Sequence, residues 1–157
     1  MPFVFSSPTR DEKTTPCQEP PPFPFPNHLP HSAGPEPGAE PMKPINLAEK
    51  LSQFDTHWSP KIVGSFNGHD LMVVKVLGEF IWHDHPDTDD FFMVLSGELT
   101  IDLPDGTVTL TPGEVFVVPK GIQHRPRSTV ETHLLLIEPA GTPNTGDPAT
   151  AATKTRI

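Results

Sequence analysis

Between residues 62 and 138 every apolar run is cut after a few residues by a glycine or proline joint. The joints are Asn67-Gly68, Ser96-Gly97, Pro104-Asp105-Gly106, Thr111-Pro112-Gly113 and Pro119-Lys120-Gly121. Glycine admits positive φ and proline presets φ, so each of these is turn chemistry. Long helices cannot form across such punctuation. The intervening runs are rich in Val, Ile, Leu and Phe and read as short strands at 62–66, 71–77, 80–85, 91–95, 99–103, 107–110, 115–118 and 132–138. Asn67-Gly68 is a strong hairpin turn, and Gly78 breaks the second run before the third. Many short strands with such joints predict an all-β barrel or sandwich.

The flanks differ. Thirteen of the 22 prolines fall in residues 1–44, in runs such as PPPFPFP and PEPGAEP. Proline removes backbone donors, so residues 1–44 are expected to be a disordered extension. Met42 is a second possible start of translation. Asn46 and Glu49 have the spacing of a capped helix start, which predicts a short helix over 47–54 ahead of a β domain spanning 45–140. Residues 141–157, rich in Thr, Pro and Ala, are expected to be a loose tail.

Composition narrows the function. The net charge is -9, and residues 45–140 hold 14 acidic against 6 basic side chains, which argues against a nucleic-acid surface. The single cysteine, Cys17, excludes an internal disulfide, and no stretch is apolar for the length of a membrane span. The N-terminus reads as neither a secretory signal nor a transit peptide, so an intracellular, cytoplasmic location is expected. The chain has no tyrosine, which removes any tyrosyl base or radical, and no GxGxxG or Walker pattern calls for a nucleotide.

The chemistry concentrates in residues 78–97, GEFIWHDHPDTDDFFMVLSG. On extended chain, alternate residues share a face, so His83 and His85 can point into one space. Asp87, Asp89 and Asp90 follow, and two imidazoles with a nearby carboxylate make half of a first-row metal site. Parity places Asp90 with Phe92 and Val94 on one face and Asp89 on the other. His28, His31, His57, His69 and His133 have no such company and read as ordinary surface or core histidines.

A second pattern, Gly113-x5-Pro119-x-Gly121-x2-His124 with Ser128 four residues on, stands at a distance from the first, Gly78-x4-His83-x-His85-x4-Asp90-x6-Gly97. Together they closely resemble the two-part signature of the cupin superfamily, in its small single-domain, conserved-barrel form, across 62–138. The resemblance implies a jelly-roll barrel with one divalent metal inside its mouth. His83, His85 and His124 match three ligands. Asp90 stands where the family usually has Glu, with Asp89 as the alternative, and Ser128 replaces the usual Asn.

The resemblance further implies a metal-dependent enzyme acting on a small molecule, most simply an iron(II)-type oxygenase or oxidoreductase. Zinc, manganese, nickel or cobalt would instead suit an isomerase, cyclase or decarboxylase. A non-catalytic ligand-binding barrel is the third reading. Asp87, Glu98 and Gln123 are candidates for positioning a substrate, and small cupins commonly pair, so a homodimer is expected. The aromatic side chains Phe80, Trp82, Phe91, Phe92 and Phe116 are barrel wall, and those on the histidine side can line an apolar pocket.

Overall fold

The computed structural model describes residues 43–157, and the expectations for the proline-rich segment and Cys17 lie outside them. One short helix, α1 (Leu47–Leu51), precedes eight strands: β1 (Lys61–Phe66), β2 (His69–Glu79), β3 (Asp90–Ser96), β4 (Leu99–Leu103), β5 (Gly106–Leu110), β6 (Val115–Val118), β7 (Arg125–Pro139) and β8 (Thr155–Arg156). Asn46 caps α1 by accepting from the amides of Ala48 and Glu49. The helix stops three residues before the expected end, yet Phe54 still packs beside Leu51.

The strands run β5-β4-β7-β2-β1-β8 in one unclosed sheet, and β3 bridges β7 to β6. Strand β7 organises this path. One edge pairs with β2 from Arg127 to Pro139; the other pairs with β4 near Arg125 and with β3 from His133 to Ile137. The sheet curls around its main apolar core of Met72, Val74, Val76, Phe92, Val94, Leu99, Ile101, Leu110, Val118, Leu134 and Leu136. Alternation along β2, β3 and β7 sends these side chains inward. On the outer face, α1 packs Leu51 against Val63 and Val73. The result is the all-β barrel expected.

Two local departures have physical causes. The run expected as a strand at 80–85 is extended chain without a regular ladder. It touches β7 and the loop before it through Phe80 N–H to Pro126 O and the paired His83–His124 amides, and Pro126, lacking an N–H, cannot continue the ladder. Strand β7 also starts at Arg125, earlier than its apolar run, because Arg125 and Arg127 are held by the Asp102 carboxylate of β4. The β3–β4 turn is sewn to β7 by Ser128, whose hydroxyl donates to Glu98 O at 2.8 Å, and by Glu98 N–H to Thr132 Oγ1 at 2.9 Å.

Residues 141–157, expected to be loose, contain little regular structure but are held to the barrel. Strand β8 pairs parallel with β1, Ile157 N–H donates to Ile62 O, and Ala152 N–H donates to Asn144 Oδ1. No helix among the described residues is long and apolar enough to cross a membrane.

Candidate metal centre

The site is built on one backbone bridge. His83 and His124 exchange both amide hydrogen bonds, N–O 3.1 Å and 2.9 Å, so their side chains enter the barrel from adjacent positions. His85 follows two residues later on the same face, and its carbonyl accepts from Gly121 N–H at 2.9 Å. Gly121 has φ +75°, the left-handed conformation that turns the chain back into the bridge. Asp90 arrives as the first residue of β3, held opposite Val118 of β6. The four side chains are buried, and one donor atom from each lies within 4.8 Å of every other.

The hydrogen bonds fix which ring nitrogen is available. His83 Nδ1 lies 3.0 Å from Ile81 O and His124 Nδ1 lies 3.0 Å from Ile122 O. A carbonyl only accepts, so both Nδ1 atoms carry the hydrogen. In a neutral ring Nε2 then presents a lone pair. His124 Nε2 stands 3.1 Å from Asp90 Oδ2, and a lone pair facing a carboxylate oxygen at that distance is repulsive unless a cation lies between. That cation is a second ring proton or a metal ion.

The remaining atoms tell the same story. His85 Nε2 and Asp90 Oδ1 are buried and have no hydrogen-bond partner among the described residues. His85 Nε2 is 3.5 Å from Asp90 Oδ2, an ion-pair distance without hydrogen-bond geometry. Orphaned buried polar atoms are costly, and a divalent ion among them would satisfy both. Three imidazoles and one carboxylate are a donor set that a first-row metal ion fits.

Charge states favour ligation at His83 and Asp90. Burial, reinforced by neighbouring His124, lowers the His83 pKa to about 4, so its ring is neutral at physiological pH. Burial pulls His85 down as well, but Asp90 outweighs it and holds the His85 pKa above the ordinary value. Burial pushes the Asp90 carboxyl up, yet its contacts with His124 and His85 prevail and keep it below the usual range, ionised.

A cavity opens onto this cluster. Trp58, Phe80 and Phe92 form much of its wall, with His83, Asp90, Glu138 and Asn144 among its polar lining. Phe80 stacks on Trp58 at 5.0 Å and meets His83 edge-on at 5.2 Å. Trp58 is pinned by Nε1–H to Leu77 O at 2.9 Å, at a positive φ of 57°. The cavity holds about 40 Å³, room for roughly three water-sized groups.

The other sequence candidates stand elsewhere. Asp89 is exposed, and its Oδ1 accepts from Lys120 N–H at 2.9 Å, outside the cluster. Asp87 is exposed and borders a separate cleft with His85 and Pro143. Glu98 is exposed at the β3–β4 turn and Gln123 is exposed just before His124; none of the three lines the aromatic cavity. Sequence reasoning passed over Glu138, although its parity with Leu134 and Leu136 marks it as an inward-facing charge.

A cupin-domain family model matches residues 70–138. A cupin-2 domain protein from Shewanella frigidimarina is 44% identical, with a TM-score of 0.60 over 60% of this chain and 93% of that one. The uncharacterized protein YdbB of Bacillus subtilis is 42% identical over 95 residues, 60% of this chain and 81% of that protein. The chain belongs to the cupin family. A further structural neighbour of this cupin is hydroquinone 1,2-dioxygenase from Sphingomonas sp. TTNP3, 26% identical with a TM-score of 0.60. That match covers 68% of this chain and 35% of the dioxygenase.

Proposed function

We propose that this cupin is a metal-dependent enzyme of small organic molecules, an oxygenase of the iron(II) type acting on a phenolic or other aromatic compound. The observation that carries the reading is the convergence of imidazole lone pairs on the buried Asp90 carboxylate at the foot of an aromatic cavity. A divalent ion held by His83, His85, Asp90 and His124 would supply Lewis acidity and, as iron, redox capacity toward dioxygen.

The chain's own residues do the rest. Trp58 and Phe80, stacked on each other, give the cavity an aromatic wall, which favours a flat apolar ligand. Phe92 and the core behind it exclude bulk water from the cluster. Ile81 and Ile122 carbonyls hold the His83 and His124 tautomers, so neither ring must reorganise during reaction. The dioxygenase likeness supports the aromatic substrate and the oxygen chemistry. A homodimer completes the reading, supported by the half-exposed Val115 and Val117 on β6, and its molar mass in solution is the test.

The deciding experiment is purification without chelator, analysis of the bound metal, and oxygen-electrode assay with 1,4-dihydroxybenzene and related phenols. Oxygen uptake that depends on the metal is expected. Turnover without oxygen uptake would refute the oxygenase and leave Lewis-acid chemistry, such as isomerisation or decarboxylation, at the same site.

A further inference from the structure

Glu138 is a buried carboxylate that the metal cluster does not use. It lies on the inward face of β7, is only 3% exposed, and lines the cavity together with His83 and Asp90. Its Oε2 accepts from Lys154 Nζ at 2.5 Å, and the same ammonium donates to Thr142 O at 2.6 Å. Lys154 comes from the segment after Gly141, which β8 and the Ile157–Ile62 hydrogen bond tie to β1. The carboxylate is therefore positioned by the C-terminal segment, not by the barrel alone.

Its second oxygen is left over. Glu138 Oε1 has no hydrogen-bond partner among the described residues, and it is not among the polar atoms sealed from all solvent. Asn144, on the same segment, also lines the cavity. Its Oδ1 is occupied by Ala152 N–H, which fixes the amide orientation and leaves the NH2 group as the free end. The cavity lining thus includes a carboxylate acceptor and an amide donor together with the aromatic side chains of Trp58 and Phe80. The Lys154 ion pair uses Oε2 alone and leaves Oε1 free for a further partner.

We infer that Glu138 and Asn144 form a polar subsite that recognises a ligand hydroxyl, which donates to Glu138 Oε1 and accepts from Asn144 Nδ2. This rests on the reading of the cavity as a site for phenolic compounds and extends it: the preferred ligand carries a hydroxyl for the subsite besides the group that reaches Asp90. An ether in that position cannot donate and leaves Glu138 Oε1 without a partner. Hydrogen bonds to charged groups and the penalty for losing them correspond to roughly tenfold or more in affinity.

The test is anaerobic calorimetric titration of the full-length, metal-loaded protein with 1,4-dihydroxybenzene and with its mono-methyl ether, 4-methoxyphenol. The diol is expected to bind at least about tenfold tighter. In Glu138→Gln, with far-UV circular dichroism and metal content unchanged, the ratio is expected to fall toward one through loss of diol affinity while the ether binds as before. Lys154→Met, which frees the carboxylate from its anchor, must lower the ratio too, and it keeps the test open where Glu138→Gln does not fold. Equal binding of both compounds by the wild type, or an unchanged ratio in the variants, overturns the subsite alone. Binding of neither compound overturns it together with the phenolic reading.

Discussion

Replacing Asp90 with Asn tests the metal centre with little change of volume, since it removes one charge and keeps the shape. The wild-type cluster brings four donor atoms within 4.8 Å and leaves His85 Nε2 and Asp90 Oδ1 unpaired. An ion that binds only the folded protein stabilises it by RT ln(1 + [L]/Kd), about 2.7 kcal/mol at a free concentration of 100 Kd. For a folded unit of this size that is a rise in Tm of about 10 °C. Loss of outer partners of a metal site costs up to 100-fold in affinity, and loss of the only anionic ligand costs at least that. At the same ion concentration Asp90→Asn then retains about 0.4 kcal/mol, a rise of about 2 °C. The assay is thermal unfolding of chelator-stripped protein, followed by circular dichroism, with and without cobalt(II). A wild type whose Tm is unmoved by cobalt(II), zinc(II) and iron(II) up to millimolar levels would refute the reasoning, as would a variant that shifts as far as the wild type.

Three further outcomes follow from the same structure. The His83 pKa is lowered from 6.5 to about 4, so between those values the unfolded chain binds a proton that the folded one does not. Its contribution is complete above pH 6.5 and is lost as pH falls toward 4, by about 3 kcal/mol, and urea titrations of metal-free wild type and His83→Asn at pH 7.5 and 4.5 measure it. Gly97 has φ +85°, and a Cβ there would strike Thr132 Oγ1 and stand 2.8 Å from Glu131 O. Gly97→Ala is expected to cost about 3 kcal/mol in urea denaturation, from left-handed backbone and overpacking together. Gly146 has φ +74° and abuts the Asp84 carbonyl, between His83 and His85. Gly146→Ala should loosen the C-terminal segment by about 1–2 kcal/mol, read as roughly tenfold faster proteolysis within residues 141–157.

What the sequence discloses here is whatever short-range periodicity controls. His83 and His85 share a face because they are two residues apart in extended chain, although the segment forms no regular ladder. Parity on β3 likewise turned Asp90, Phe92 and Val94 inward and left Asp89 to cap the Lys120 amide. His124 was legible through its Pro-Gly turn, which returns the chain to the His83 bridge. The cavity walls were not legible. Trp58 reaches its place through a positive φ and an indole hydrogen bond to Leu77, and neither leaves a periodic trace. Lys154 arrives by a chain reversal through Thr-, Pro- and Ala-rich sequence, in which no spacing announces a buried ammonium.

The aspartate at position 90 shows how these parts depend on one another. A shorter acid in place of the family's glutamate requires a closer backbone, an intervening water, or a different ligand. In this structure β3 begins at Asp90, and its Oδ2 lies 3.1 Å from His124 Nε2 and 3.5 Å from His85 Nε2, so the shorter acid still reaches the histidine cluster. The pairing of β3 with β7 that sets this approach aligns Phe91 with Ile137 and so carries Glu138 past the same end of the barrel. A second carboxylate beside a buried Asp90 is unfavourable: burial raises the Glu138 pKa, Lys154 opposes the rise, and the Asp90 charge adds to it. The Lys154 ammonium supplied by the C-terminal segment is what compensates that crowding. The close approach of Asp90 to His85 and His124 and the docked C-terminal segment are thus two consequences of one strand register.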